Sequence, residues 1–187
     1  GLFYGDFDQI FEQLHGKEIS YNNLLDIDAA ISLIADFDET ALAILKHNNA
    51  CGMASRPTVR EAWEAALAAD PVSAFGGVVV TNRPVDQAAA EAINAIFFEV
   101  LIAPAYDKEA LDILFQKKNR IILRHKSAEK ALQPMQYRSI LNGMLVQERN
   151  VSLQSAGDLQ VVTQQVPTDP ETEDLLFANK LVKHTKS

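Results

Sequence analysis

Between residue 20 and about residue 125, unbroken apolar runs alternate with stretches whose apolar positions recur at helical spacing. Leu24, Ile27, Ile31 and Ile34 fall three or four residues apart behind Asn22, predicting a helix with asparagine at its N-cap. Ala41-Leu42-Ala43-Ile44-Leu45 is continuous and strand-length, the pattern of a strand buried on both faces. Thr58-Val59-Arg60-Glu61 has capping-box form and opens a helix through Trp63 and Leu67. Gly76-Gly77-Val78-Val79-Val80-Thr81 is a glycine-led strand, residues 86–96 an alanine-rich helix, and Val100-Leu101-Ile102 a short strand closed by Ala103-Pro104. Asp107 caps a helix through Leu114, and Ile121-Ile122-Leu123 is a fourth strand. Strands alternating with helices imply parallel pairing through right-handed crossovers, hence a layered α/β domain. On that topology the turns after the first three strands share one sheet edge. His47, Asn82 and Pro104 are therefore expected on the same side.

Beyond Lys126 the alternation weakens. Gly143-Met144-Leu145-Val146-Gln147 reads as a strand and Leu153 to Asp158 as a polar loop. Thr168-Asp169-Pro170-Glu171 combines a capping box with proline at the expected first helical position, and opens a helix carrying Leu175, Ala178 and Val182 on one face. That face needs a partner, so the helix either begins a second unit or docks on the first. The expected division is a first subdomain over residues 1–150, then a linker and the start of a second subdomain over 151–187.

Composition alters this picture little. A chain of 187 residues, 48% hydrophobic and 22% charged, is ordinary soluble globular material able to bury a core. No apolar run nears the ~20 residues of a membrane span, and no membrane partner is expected. The single cysteine excludes an internal disulfide and gives no thiolate zinc site, which points to a reducing cytoplasm. A net charge of −8 argues against a nucleic-acid partner, yet a few local donors suffice to hold an anionic small molecule.

Four places carry candidate chemistry. In Lys46-His47-Asn48-Asn49-Ala50-Cys51-Gly52 the buried run delivers an ammonium, an imidazole and two carboxamides, then meets a glycine. Strand ends facing a cleft are where α/β folds hold ligands, and a cation beside an imidazole pairs an electrostatic donor with a general base. Neighbours on a strand point to opposite faces, so both can serve one ligand only if the chain turns at once; Asn48, Asn49 and Gly52 favour that turn. The alternative is a histidine that merely satisfies backbone groups of the turn. In Asp70-Pro71-Val72-Ser73-Ala74-Phe75-Gly76-Gly77 the paired glycines permit close backbone approach and Phe75 can lie against a flat ring, but a helix-to-strand turn with a core phenylalanine is the plainer reading. In Tyr21-Asn22-Asn23-Leu24-Leu25-Asp26 the two asparagines read most plainly as helix caps. Glu99, inside the apolar Phe97 to Ile102, either meets donors in a buried place or faces solvent from an edge strand. Cys51 reads as a packing residue, Lys117-Lys118-Asn119-Arg120 as a solvated loop, and no phosphate-loop or dinucleotide fingerprint is present.

Taken together, Leu14-His15-Gly16-Lys17-Glu18-Ile19-Ser20-Tyr21-Asn22-Asn23-Leu24-Leu25-Asp26, Lys46 to Gly52, Asp70 to Gly77, Asn82-Arg83-Pro84-Val85-Asp86 and Glu99-Val100-Leu101-Ile102-Ala103-Pro104 closely resemble the AICAR transformylase family, the formyltransferase half of a bifunctional purine biosynthesis protein. The tail Val182-Lys183-His184-Thr185-Lys186-Ser187 fits as well. Ala50 departs from the proline of many members and Ala105 from their usual glycine.

The resemblance implies a three-layer α/β/α, cytidine-deaminase-like subdomain with a mainly parallel sheet. It implies formyl transfer from 10-formyltetrahydrofolate, as co-substrate, to the 5-amino group of AICAR ribonucleotide. His47 then fits proton transfer, and Lys46 fits stabilisation of the developing oxyanion or the leaving folate nitrogen. The resemblance further implies that Asn23 binds the nucleotide's base region, that Phe75 and Gly76 line the same pocket, and that Glu99 matches an acid that hydrogen-bonds the substrate amide or amine. A homodimer with sites at the subunit interface is implied, with a monovalent cation near Val182, Thr185 and Ser187 and no zinc. Family members also have a cyclohydrolase domain and an arginine-tyrosine-glycine segment before the stretch matched here, and an asparagine and a folate-binding subdomain after it. These 187 residues alone are accordingly expected to be inactive. The competing expectations are a non-catalytic nucleotide-binding or oligomerisation module with the same fold and, less compatible with one cysteine, a zinc deaminase.

Overall fold

In the computed structural model, which describes residues 5–126 and 134–186, the first long helix opens at Ser20 rather than Asn22. The Ser20 hydroxyl accepts from the Asn23 amide while the Asn23 side chain turns back to Ser20, a reciprocal cap that starts α1 (Tyr21–Ile34). Such caps contribute about 1 kcal/mol. Thr58 and Glu61 make the expected capping box for α2 (Val59–Ala69), and the 86–96 and Asp107–Leu114 patterns become α4 (Gln87–Asn94) and α5 (Lys108–Leu114), with Asp107 at the N-cap of α5 but making no side-chain capping bond. A one-turn helix, α3 (Pro71–Ala74), lies between α2 and the glycine pair.

The run beginning at Ala41 is β2 (Ala41–Lys46), buried from Ala41 to Leu45. It makes no crossover. The chain reverses over His47 and Asn48, whose φ values of 52° and 63° are the left-handed pair that two-residue hairpin turns use. It returns as β3 (Asn49–Ser55), antiparallel, with Lys46 opposite Asn49 and Ala41 opposite Ser55. The turn is therefore shorter than the sequence pattern suggests, and Gly52 belongs to a strand.

The first unit, residues 1–128 with 184–187, is organised on one six-stranded sheet. Its strands are β1 (Phe11–His15), β2, β3, β4 (Gly77–Thr81), β5 (Phe98–Ala103) and β6 (Ile121–His125), in spatial order β1-β6-β5-β4-β2-β3. Pairing is parallel for β4–β5 and β5–β6, forming the core, and antiparallel for β1–β6, β2–β3 and β2–β4. β2 thus runs against β4, with Leu42 opposite Thr81 and Leu45 opposite Val78. This corrects the expected placement of three turns on one edge. His47 lies at the edge where β4 and β5 begin, while Asn82 and Pro104 lie at the opposite edge. There the Asn82 side-chain oxygen accepts from the Ala41 amide at 3.0 Å.

Alternation along the buried strands divides the apolar side chains between two layers. Leu42, Ile44, Val79, Leu101 and Ile122 join Trp63, Ala66, Ala90, Ile93 and Leu114 in one core beneath α2, α4 and α5. α1 packs against β2 and β4 on the other face, with Ile27, Ala30, Ile31 and Ile34 buried. The result is three layers, α/β/α. Arg120 corrects the reading of Lys117–Arg120 as a solvated loop, being 3% exposed.

The second unit, residues 129–183, holds the antiparallel hairpin β7 (Met135–Ile140) and β8 (Gly143–Glu148), Met135 facing Glu148. The expected strand at 143–147 is β8. Thr168 and Glu171 form the expected capping box at the start of α6 (Asp169–His184).

Gly52 marks a close approach between layers: a Cβ there would stand 2.0 Å from the Ala66 carbonyl oxygen of α2. Gly52→Ala is expected to destabilise the fold by about 1–3 kcal/mol, the scale of overpacking, read as a lower urea midpoint. A midpoint matching the parent would refute so tight a β3–α2 contact.

Candidate functional site

Because β2 runs against β4, Lys46 arrives beside the residues that lead into β4. Its Nζ donates to the Phe75 carbonyl oxygen at 2.7 Å, which leaves two of the ammonium's three N–H groups for other partners. Asp70 caps α3 through the amide and hydroxyl of Ser73, bonds that hold its carboxyl below the usual range. The chain then turns through Gly76, whose φ of 70° is left-handed. A Cβ at Gly76 would lie 3.1 Å from Lys46 Nζ, and one at Gly77 would lie 2.8 Å from the Leu45 carbonyl oxygen. The glycine pair is what lets this turn sit against β2. The Gly76 amide donates to the Phe97 carbonyl at 2.8 Å, and the Phe75 and Phe97 rings lie 5.4 Å apart, 60% and 41% exposed. Phe75 is thus a surface ring, not the core phenylalanine of the plainer reading.

Glu99 reaches the site through a bulge. Gly77 pairs with Phe98 and Val78 with Val100, so Glu99 has no opposite number on β4. β5 is an interior strand, so the edge-strand alternative is corrected. The Glu99 carboxylate accepts from Asn23 Nδ2 at 3.0 Å and has Lys17 Nζ at 3.8 Å. Asn23, 6% exposed, also receives the Ser20 hydroxyl on its oxygen at 2.8 Å. It is both a capping residue and the partner of the acid.

A third tie closes the ring. Three residues beyond Asn23 along α1, Asp26 Oδ1 accepts from the Asn48 amide at 2.7 Å, fastening the hairpin tip to the helix. The Lys186 amide donates to Asn49 Oδ1 at 2.7 Å, and His184 Nε2 lies 2.6 Å from Asp36 Oδ2. His47 is exposed at the turn, and its ring makes no hydrogen bond among the described residues. The histidine therefore does not satisfy turn backbone groups. The structure brings Lys46, Phe75 and Gly76 into one contact set and Asn23 and Glu99 into a second, with His47 on the hairpin whose tip Asp26 of α1 holds. Lys17, Asp26 and Phe97 join the edge without a signal in the sequence pattern: Phe97 reads as one more apolar residue, and Asp26 as an ordinary helix acid.

The AICARFT/IMPCHase bienzyme family model matches residues 2–187. The chain belongs to that family. It is 62% identical over all 187 residues to the bifunctional purine biosynthesis protein PurH of Bacteroides thetaiotaomicron, covering 36% of that protein. It is 51% identical over 177 residues to PurH of Persephonella marina, 94% of this chain and 34% of the relative. PurH of Chlorobium luteolum is 48% identical over 186 residues, 98% of this chain and 35% of the relative. The chain thus spans about a third of the length of these family members.

Among the described residues, no group of three or more histidine, cysteine, aspartate or glutamate side chains is placed to hold a metal ion, and no helix is long and apolar enough to cross a membrane. Of the residues expected near a monovalent cation, Val182 is exposed and Ser187 lies outside the described residues.

Cys51 sits in a second bulge, opposite neither Ile44 nor Leu45, and its Sγ lies 3.4 Å from the Ile44 carbonyl. Burial raises its pKa above the usual thiol value, so less thiolate is present at neutral pH. Alkylation by iodoacetamide is expected to be slower than that of free cysteine at neutral pH, with the rate still climbing above ~8.5, the ordinary thiol value. A fast reaction levelling off below that pH would mark Cys51 as an activated thiol instead.

Proposed function

We propose that this sheet edge forms part of a formyl-transfer site, in which the 5-amino group of AICAR ribonucleotide attacks the formyl carbon of 10-formyltetrahydrofolate. The observation that carries the reading is the Lys46–Phe75 hydrogen bond. It fixes an ammonium beside Phe75 and Gly76, with the unengaged imidazole of His47 next in the chain. Family membership, and the naming of the relatives as bifunctional purine biosynthesis proteins, support a place in purine biosynthesis. Since the chain spans 36% of the Bacteroides relative, turnover is proposed for a polypeptide of that length, as a cytoplasmic homodimer. It is not expected of these 187 residues by themselves.

The nucleotide amine is a poor nucleophile because its lone pair is delocalised into the imidazole and its carboxamide. His47 takes the amine proton as the new N–C bond forms, and charge gathers on the formyl oxygen. Lys46, with two N–H groups left after bonding Phe75, donates to that oxygen or to the leaving nitrogen. Collapse breaks the bond from the formyl carbon to N10, which takes up a proton, giving the formylated nucleotide and tetrahydrofolate. Asn23 and Glu99 present a carboxamide and a carboxylate to the substrate carboxamide. The exposed Phe75 ring supplies a flat apolar face for the imidazole, and Gly76 leaves room for it.

In a polypeptide of the relatives' length, His47→Ala is expected to lower formyl transfer by ~10²-fold or more, with only the small stability cost of alanine at a left-handed φ of 52°. The second expectation follows because the His47 ring makes no hydrogen bond among the described residues. Turnover equal to the parent's would sink the general-base role.

A further inference from the structure

The geometry points to Arg120 as the positioning residue that holds together the two arms carrying Glu99 and its donors. Its guanidinium is buried, 3% exposed, and has no carboxylate partner among the described residues. The Nε atom is buried without a hydrogen-bond partner among the described residues, and desolvation pulls the pKa below the ordinary arginine value. Burying an uncompensated guanidinium is strongly unfavourable, and a methionine would fill the same space without that penalty. The contacts indicate what the charge is for.

Nη1 donates to the Asn94 side-chain oxygen, Nη2 to the Ile96 carbonyl at 2.9 Å, and Cζ stands 4.3 Å over the Phe98 ring centre. The three partners are the last residue of α4, the connection that follows it, and the first residue of β5. That connection next delivers the Phe97 carbonyl to the Gly76 amide, the Phe97 ring to Phe75, and the bulged Glu99 to Asn23. The backbone of Arg120 meets the other arm. Gly16, with φ of 102°, comes so close that a Cβ would stand 2.1 Å from the Arg120 carbonyl oxygen. Gly16 opens the turn that presents Lys17 and then Ser20 and Asn23, the groups around the Glu99 carboxylate. One residue bonds the acid's arm through its side chain and packs closely against the donors' arm through its backbone.

The geometric part of this inference stands by itself; its consequence for a ligand rests on the nucleotide reading of the edge. Both are testable with Arg120→Met and Arg120→Lys, the exchange arm on the 187-residue chain and the ligand arm on a polypeptide of the relatives' length. Amide hydrogen exchange at Gly76 reports the bond to Phe97, and the β4 amides of Val79 and Val80 report the sheet. In Arg120→Met, Gly76 exchange is expected to rise roughly tenfold or more with β4 protection retained, the scale of losing hydrogen bonds from a charged donor. Arg120→Lys keeps the charge but not the fork, and should raise Gly76 exchange to a smaller extent. Parent-like exchange at Gly76 in folded Arg120→Met, or in Arg120→Lys should the methionine variant fail to fold, overturns the inference. Titration of AICAR ribonucleotide forms the second arm. If the parent binds, Arg120→Met should weaken binding roughly tenfold with the sheet intact, and equal affinity removes the link to the ligand. If the parent does not bind, the nucleotide reading is what fails, and exchange at Gly76 still decides the role of Arg120.

Discussion

The antiparallel pairing of β2 with β4 is the constraint on which the site depends. With Leu45 opposite Val78, the last residues of β2 stand next to the first residues of β4, and Lys46 reaches the Phe75 carbonyl within 2.7 Å. Parallel pairing would have carried the same ammonium to the Asn82 end, a strand length of roughly 15 Å away for five residues. The hairpin over His47 and Asn48 enforces the direction. Both residues adopt positive φ, so the chain reverses in two residues and β3 covers the outer side of β2. The hairpin thereby turns a buried structural strand into a delivery arm for polar groups.

Two devices then aim those groups. Bulges place a single residue out of register on each of two strands, turning Glu99 towards α1 and leaving Cys51 to lie along the Ile44 carbonyl. Glycines remove Cβ atoms where backbones meet: Gly76 and Gly77 against β2, Gly52 against α2, Gly16 against Arg120. A carboxylate drawn towards the interior is costly unless donors meet it. Here Asn23 donates directly and Lys17 stands beside the acid, while Asn23 is itself held by the Ser20 cap. Helix initiation and site electrostatics therefore share one asparagine.

Much of this was legible in the residues, and the failures have physical causes. The α2 capping box, helical periodicity and apolar runs located α2, α4, α5, β4 and β5 because each depends on local chemistry, although Asp107 makes no side-chain capping bond to α5. The direction of β2 was not legible from periodicity, since a strand buried on both faces looks alike in parallel and antiparallel sheets. The available signal was the turn: an asparagine pair after an apolar run, followed within a strand's length by Met53 and Ala54, marks a hairpin. β1 was missed because Phe11-Glu12-Gln13-Leu14-His15 is short, polar and bulged between Gln13 and His15. Arg120 was misread because a basic run is normally solvated, and only tertiary packing places its guanidinium over Phe98.

The groups at this edge differ in how far their roles can be separated from folding. Lys46 anchors the turn at Phe75, Asn23 caps α1, Asp26 holds the hairpin amide, and Gly76 tolerates a left-handed φ. Replacing any of these changes the scaffold along with any chemistry, so a loss of activity there has two explanations. His47 differs in kind. Its backbone conformation belongs to the turn, but its ring is exposed and makes no hydrogen bond among the described residues. An exposed side chain that contributes no hydrogen bond to the described fold is one whose replacement speaks to ligand chemistry with little structural confusion. The arrangement of fixed groups around one unengaged imidazole is what a proton-transfer site requires: rigid neighbours to orient the reactants, and a base whose ring nitrogens are not already taken by the protein.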